Sequence, residues 1–498
     1  MSLLGIDIGT TNIKAGLFTH DGKLIRLAIY PNQSYKSDEM HSYYKPDQMW
    51  DVVTRAIQEV TDQQHDPVAS IGITSMAESG LLIDEKTGEY RSEIIPWFDR
   101  RTEGIAEEIE KELNPVDHFK KTGLRNSYKH GLAKLVWLKR KYPDLLKNAK
   151  WLSTSDFIAY KLTGDMGTDY SLAARTFAFR IDQKAWDIPW IRHFQLHESI
   201  FPEARPAGVK VGVVSTNDFN AIGLSKGTPV AVSGHDHVCA ALAVGAVQPG
   251  IVSDSIGTAE TVVGSFNERA LTKKDYESGF SFGCHVLPGQ FFWMGAIQSS
   301  GGSVEWIRSQ LSTERLSYEE ITTLLDNTPN EPTGILYFPY LAGSGTPRPN
   351  PKAKGALIGL KSSHQKGDLI KALLEGTAYE FELIKRTIES LGLSKMSTVI
   401  AVGGGTKNKH WMQIKADVSN CSLIVPSISE STLLGAAAIA GLGCGIYKDE
   451  SEMFGYLNNH NQERIVPNEN NYRKYRHLFE EGYLPLQEPL RNLYQKDL

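Results

Sequence analysis

The chain opens on an apolar run from Leu3 to Asp7, interrupted by Gly9-Thr10-Thr11 and resumed from Ile13 to Phe18. Short apolar runs bounded by turn residues predict buried strands. Asp21-Gly22 predicts a hairpin turn, because both residues tolerate positive φ, and Leu24 to Tyr30 predicts a third strand. The period then changes. From Pro46 to Gln63, residues Met49, Val52, Val53, Ile57 and Val60 fall on one face of an amphipathic helix. Val68 to Ile73 is again a buried strand. An antiparallel start followed by helices predicts a mixed α/β fold.

The same pattern returns near the middle of the chain. Val252 to Thr261 repeats the order of Leu4 to Thr11: apolar strand, Gly-Thr turn, apolar strand. Such an echo predicts two related lobes, 1–247 and 248–498, joined near Gln248-Pro249-Gly250. The longest uncharged apolar tract, Leu433 to Tyr447, is too short for a membrane span and holds four glycines, so a buried helix and turn are expected.

Composition narrows the classes. With 498 residues, 41% hydrophobic and 22% charged, the chain can bury a core without disulfides or structural metal. The net charge of −5 disfavours a nucleic-acid partner. Cys239, Cys284, Cys421 and Cys444 form no Cys-x-x-Cys pair, so free thiols are expected. Met1 to Asp7 has no basic leader, and a cytoplasmic protein without membrane partners is expected.

The common nucleotide signatures, Gly-x-Gly-x-x-Gly and Gly-x-x-x-x-Gly-Lys-[Ser/Thr], are absent, as is His-Glu-x-x-His. Glycine turns at strand ends remain. In Asp7-Ile8-Gly9-Thr10-Thr11-Asn12-Ile13-Lys14, backbone N–H groups, hydroxyls and an ammonium suit a phosphate, and Asp7 suits Mg²⁺; a plain hairpin turn is the alternative. Gly257-Thr258-Ala259-Glu260 is a second such turn. Gly403-Gly404-Gly405-Thr406-Lys407-Asn408 is a third, between the strand Val399 to Val402 and a helix from about Lys409 to Val418; its glycines fit close ligand approach at the helix N-terminus, with tight packing alone as the alternative. Asp236, between His235 and His237 at a strand end, fits a general base, a metal ligand or the cap of a helix from Val238 to Val247. Ala77-Glu78 and Trp97-Phe98-Asp99 suit sugar recognition, an aromatic face beside carboxylates, or else a buried tryptophan with a surface ion pair. Lys134, Trp137, Lys139, Arg140 and Lys141 read as a solvated basic face.

Taken in order, these segments resemble the FGGY carbohydrate kinase family over nearly the whole chain. Asp7 to Lys14 is similar to its first phosphate loop and Gly257-Thr258 to its second. Thr163-Gly164 with Thr168-Asp169-Tyr170-Ser171 resembles a family stretch, and Gly234 to His237 the segment bearing its catalytic aspartate. Gly301 to Trp306, Pro339 to Gly343, Gly355 to Leu360 with Asp368, Leu369, Ala372 and Glu375, Gly403 to Asn408, and Leu434 to Ala437 continue the match. Leu373 departs from the family's C-terminal signature. The N-terminal one survives only as Lys134 to Trp137, which weakens a substrate role for Tyr128.

The resemblance implies two actin-like (ribonuclease H-like) α/β domains around a cleft, with ATP and Mg²⁺ as cofactors and a sugar or polyol as acceptor. It implies Asp236 as base and Asp7 as metal ligand. Thr10, Thr11, Lys14, Gly257 and Thr258 would hold phosphates, and Gly301, Glu305, Gly404, Gly405 and Asn408 the nucleotide. Ala77, Glu78, Trp97, Asp99 and His237 would meet the acceptor. Glu78 and Asp99 would repel a carboxylate, so a neutral, xylulose-like ketose or polyol is expected, with gluconate, glycerol or erythritol as alternatives. Kinases of this family are often dimers, so a homodimer is a further expectation. An ATPase of the same fold and a non-catalytic sugar sensor are the competing classes.

Overall fold

The computed structural model describes residues 1–62, 66–457 and 461–495. Its first sheet is built from β1 (Ser2–Ile8), β2 (Asn12–Thr19), β3 (Leu24–Pro31), β4 (Val68–Ser75), β5 (Lys210–Val213) and β6 (Pro229–His235), in the order β5-β6-β4-β1-β2-β3. β1 pairs antiparallel with β2 and parallel with β4, which pairs parallel with β6. Every residue of β1 is buried, because the strand is central and covered on both faces. α1 (Pro46–Thr61) starts with proline at its first turn and buries Met49, Val53, Ile57 and Val60. The predicted last residue of that helix, Gln63, lies outside the described residues.

The second sheet repeats this plan. β7 (Ile251–Ile256), β8 (Glu260–Asn267), β9 (Ser281–Cys284), β10 (Gln290–Ile297), β11 (Thr398–Val402), β12 (Ser422–Pro426) and β13 (Gln462–Ile465) are ordered β9-β10-β8-β7-β11-β12-β13. β7 pairs antiparallel with β8 and parallel with β11, which pairs parallel with β12. Each strand of the first sheet therefore has a counterpart of the same sense in the second, with β9 added at one edge. The short sequence echo at Val252 to Thr261 marks a real duplication of topology.

The helices that position the site are α2 (Glu103–Lys111), α3 (Gly131–Lys141), α4 (Tyr170–Ala174), α5 (Asp236–Ala243), α6 (Gly301–Gln310), α7 (Tyr318–Asp326), α8 (Lys366–Ser390), α9 (Lys409–Ser419) and α10 (Ser431–Gly443). Two of them join the halves. α10 follows β12 in sequence yet lies on the first sheet and against α5. Side chains are kept out of its way: a methyl on Gly5 or Gly72 would overlap the carbonyls of Leu433 and Ala436, and one on Gly435 that of Cys239. Ser233 Oγ donates to the Ala436 carbonyl at 2.7 Å. Leu3 and Phe18, Val238 and Leu242, Val263 and Ile400, Leu433 and Ala437 form one core drawn from both halves. The apolar tract at 433–447 is accordingly a helix buried on all sides, followed by a turn. All four cysteines are free thiols. Among the described residues, no helix is long and apolar enough to cross a membrane.

The close approach makes a direct prediction. Gly72→Ala should destabilise the protein by about 1–3 kcal/mol through overpacking. Gly104→Ala, in α2 with open space around it, should stabilise it by up to about 1 kcal/mol. Thermal melts of the two variants should therefore move in opposite directions, and equal shifts would contradict the packing described for α10.

Candidate active site

The parallel strands β1, β4 and β6 end side by side, with Ile8 and His235 both opposite Ser75. The residues that follow these ends gather at one edge of the sheet. Asp236 is the first residue of α5, and His235 takes the cap position. The cap reading of Asp236 is thereby corrected: the helix starts one residue earlier than a cap at 236 would allow and ends at Ala243. Asp236 Oδ1 lies 2.7 Å from His235 Nδ1 and accepts from the His237 N–H at 2.7 Å. Burial alone would raise its pKa, but His237 beside it and the contacts from His235 outweigh burial and hold it at about 2. The carboxylate is ionised at neutral pH, as a proton acceptor must be. His237 itself is lowered by burial, against the pull of Asp236.

Glu78 follows β4 with φ of 58°, a left-handed conformation unusual for a residue with a side chain. A lysine pins this turn: Lys134 Nζ donates to the Glu78 carbonyl and, at 3.2 Å, to that of Ile95. Lys134 is fully buried, so the solvated-face reading fails for it; α3 turns that position inward. Burial pushes its pKa down to about 7, against Glu78 and Asp99. The Glu78 carboxylate accepts from Arg175 Nε at 2.7 Å and from Nη2. Burial opposes its ionisation, but Arg175, His130 and His235 win, and the carboxyl lies below its ordinary value.

Arg175 ends α4. That short helix is capped by Asp169, whose carboxylate accepts from the N–H groups of Ser171 and Leu172 at 2.7 and 3.0 Å. Ser171 Oγ in turn accepts from the His235 N–H at 2.9 Å. The Thr168 to Ser171 stretch thus aims both Arg175 and the segment carrying Asp236. No local pattern marks Arg175 itself, and the sequence reading missed it together with His130 and Lys129.

Trp97 is a wall of the same site. Its Nε1 donates to Thr10 Oγ1 at 2.9 Å, and Lys129 Nζ sits 5.0 Å from its ring centroid. Asp99 is placed differently from the expectation. It is 3% exposed, and its carboxylate accepts from Arg101 Nε at 2.6 Å and from the Ser42 N–H at 2.5 Å. Ala77 is buried in the core beneath Glu78 and offers no polar group. The charge argument for a neutral acceptor therefore loses its premise: Glu78 and Asp99 are each neutralised by an arginine, Arg175 and Arg101.

Asp7 lies beside this cluster. Burial first, then the charge of Asp236, push its pKa up to about 8, with Lys14 opposing and Glu430 adding. Its Oδ1 is buried without a hydrogen-bond partner among the described residues. A lone carboxylate oxygen in this state fits a hard divalent cation that keeps most of its water and phosphate ligands. Lys14 Nζ is bound to Glu430 Oε2 at 2.8 Å, at the start of α10. Thr10 and Thr11 are the central residues of the tight turn closed by the Gly9 N–H donating to the Asn12 carbonyl at 2.9 Å.

On the other lobe, a cavity of about 410 Å³ is lined by Gly257, Thr258, Gly301, Glu305, Gly404, Gly405, Asn408 and Tyr318. All seven residues named from the sequence for the nucleotide side and its phosphate turn come together there. The N–H groups of Gly301 and Gly302 donate to the carbonyls of Gly257 and Thr258, each at 2.9 Å, clasping the turn. The glycine run divides its roles: Gly403, at φ 94°, and Gly405 press on Ile256, whereas Gly404 faces open space. Asn408 Oδ1 caps α9 by accepting from the Trp411 N–H at 3.1 Å. The Glu305 carboxylate is bound by Arg308 at 2.8 Å, by Arg315 and by the Tyr318 hydroxyl, so it shapes the wall. Behind the turn, Lys415 joins Asp254 and Glu260, all fully buried, and Ser300 Oγ donates to Glu260 at 2.6 Å.

A duplicated α/β fold with a glycine-lined cavity on one lobe and an ionised aspartate amid paired charges on the other defines a phosphotransferase class. The family model for the N-terminal domain of the FGGY family of carbohydrate kinases matches residues 2–243, and that for its C-terminal domain matches 255–444. The chain belongs to the FGGY family of carbohydrate kinases, enzymes that phosphorylate their acceptor from ATP. It is 26% identical to a xylulose kinase of Staphylococcus xylosus, over 96% of this chain and 98% of that protein. It is 27% identical to a gluconokinase of Bacillus licheniformis, over 96% and 94%. The fold matches the crystal structure of a gluconate kinase from Lactobacillus acidophilus with a TM-score of 0.90 at 20% identity, covering 99% of each chain.

The state of Asp7 makes a prediction about stability. A carboxyl raised in the native state binds its proton more tightly there than in the unfolded chain. That stabilisation is complete below pH 4 and is lost as pH rises through about 8. Asp7→Asn removes the ionisation, so its Tm relative to the unsubstituted, metal-free protein should climb between pH 5 and pH 9. A difference in Tm that stays flat over this range would contradict the assignment.

Proposed function

We propose that this protein transfers the γ-phosphoryl group of ATP to a primary hydroxyl of a polyhydroxy acceptor held between Trp97 and the Glu78–Arg175 pair. The observation that carries the reading is Asp236, an ionised carboxylate beside the acceptor wall and in electrostatic range of Asp7. Asp236 orients the attacking hydroxyl and takes its proton as the oxygen attacks phosphorus. Glu78 accepts from a further hydroxyl, and His237 reaches another. Trp97 packs on the carbon chain.

The lobes divide the donor between them. Thr10, Thr11 and Thr258 meet the phosphates with hydroxyl and backbone donors, and Lys14 exchanges Glu430 for them. Gly257, Gly301, Gly404, Gly405 and Asn408 bound the nucleotide cavity, whose wall Glu305 braces. Asp7 is the residue that would hold Mg²⁺; when bound, the ion neutralises phosphate charge. Positioning and electrostatics supply most of the rate in such transfers. A carboxyl protonated up to about pH 8 in the metal-free protein also makes cation binding release a proton, so apparent Mg²⁺ affinity should rise between pH 6 and 8.

The decisive variant is Asp236→Asn. Loss of the base should lower kcat by about 10²–10⁴-fold, with ATP affinity and Tm retained. A folded, ATP-binding Asp236→Asn protein with full acceptor-dependent ADP release would overturn the mechanism.

A further inference from the structure

The proposed acceptor wall holds more positive charge than the proposed chemistry uses. Arg175 gives Nε and Nη2 to Glu78, and its Nη1 is buried with no hydrogen-bond partner. Lys129 is half-buried over the face of Trp97, in electrostatic range of both Arg175 and Glu78, and its Nζ makes no ion pair or hydrogen bond among the described residues. The nearby carboxylates do not answer these cations. Glu78 is shared with Arg175, and Asp99 is closed off by Arg101 and the Ser42 N–H. A guanidinium N–H left unpaired in a dry site is costly, and so is a desolvated ammonium beside it. Both costs are relieved by one anionic group lying between them.

We propose that the acceptor is a sugar acid, whose carboxylate docks between Arg175 Nη1 and Lys129 Nζ while the primary hydroxyl at its far end faces Asp236. This deepens the kinase reading above and rests on it. The two ends of the site then differ in sign. Asp236 forms the anionic end, where the hydroxyl must lose a proton. Arg175 and Lys129 form the cationic end, where a planar carboxylate takes charge-assisted hydrogen bonds. Such an arrangement fixes the direction in which the chain enters, since the reversed molecule would set its carboxylate against Asp236. Neutral ketoses and polyols satisfy Glu78 but leave Lys129 without a counter-ion, which is how the site would discriminate against them. Trp97 serves both ends, packing on the carbon chain and lending its face to the lysine.

The test pairs turnover with binding. Coupled ADP release is measured for aldonates of four to six carbons against the matching alditols and ketoses, with isothermal titration of the same compounds. The best aldonate should exceed its neutral partner in kcat/KM by about tenfold or more, a margin set by buried donors left unpaired. Lys129→Met should cut that acid-to-neutral ratio by a similar factor and Lys129→Arg should restore it, with Tm and ATP binding as controls on folding. Better turnover of neutral acceptors, or a ratio that Lys129→Met does not move, overturns the proposal. Aldonate binding that disappears in Lys129→Met, with no acceptor phosphorylated, would uphold the acid site and defeat the kinase reading. Neutral turnover without aldonate binding would do the reverse.

Discussion

The contact between α10 and the first sheet is the constraint on which the rest of the molecule depends. A helix from the second half lies against β1, β4 and α5 of the first, close enough that its carbonyls occupy the space of absent side chains at Gly5 and Gly72. One core then serves both halves. Because interiors are close-packed, a shared core of this kind holds the two sheets in a defined relation, and a second contact, where Phe119, Ala173 and Phe179 of the first half pack into the core of the second, adds to it. It also sets Glu430, at the start of α10, beside Lys14, so the seam and the Gly9-Thr10-Thr11 turn are physically one structure.

Around that frame, the site is a set of charges held in low dielectric by one another. Arg175 keeps Glu78 ionised against burial, and contacts from His235 and His237 do the same for Asp236. Asp7 has only distant Lys14 on its side and is left protonated to about pH 8. The difference is functional. Groups charged in the resting protein have partners built in, whereas Asp7, proposed above to hold Mg²⁺, has no hydrogen-bond partner on its Oδ1 among the described residues. The buried Lys415, Asp254 and Glu260 on the other lobe are fully paired and touch Ser300, just before α6. They behave as a foundation for the second turn, and removing one member of such a group is far costlier than never having built it.

Lys134 shows how support for a site can hide in an ordinary-looking helix. Its neighbours Lys139, Arg140 and Lys141 make outward contacts, as a basic face should. The position at 134 falls on the inner side of α3, where two carbonyls take its ammonium and one of them belongs to the strained residue Glu78. Strain in a backbone persists only where its surroundings over-determine it, and this buried lysine is part of that surrounding.

By itself the sequence determined the local elements and the order of the chemistry. Apolar runs placed β1, β2, β3, β7 and β11. The helical period placed α1, and the paired Gly-Thr turns announced a duplicated fold before any contact was known. These features are local: strand burial, helix period and turn chemistry are properties of neighbouring residues. Only the tertiary structure decided which charges are free. Asp99 and Glu78 look alike as lone carboxylates, yet their arginine partners lie 2 and 97 residues away, and Arg175 is brought in only by the capping of α4. The same holds for Lys14 and Glu430, 416 residues apart. A charge in a protein is defined by what neutralises it, and that partner is chosen by folding, so the Glu78–Arg175 end of the site became legible only when distant segments met.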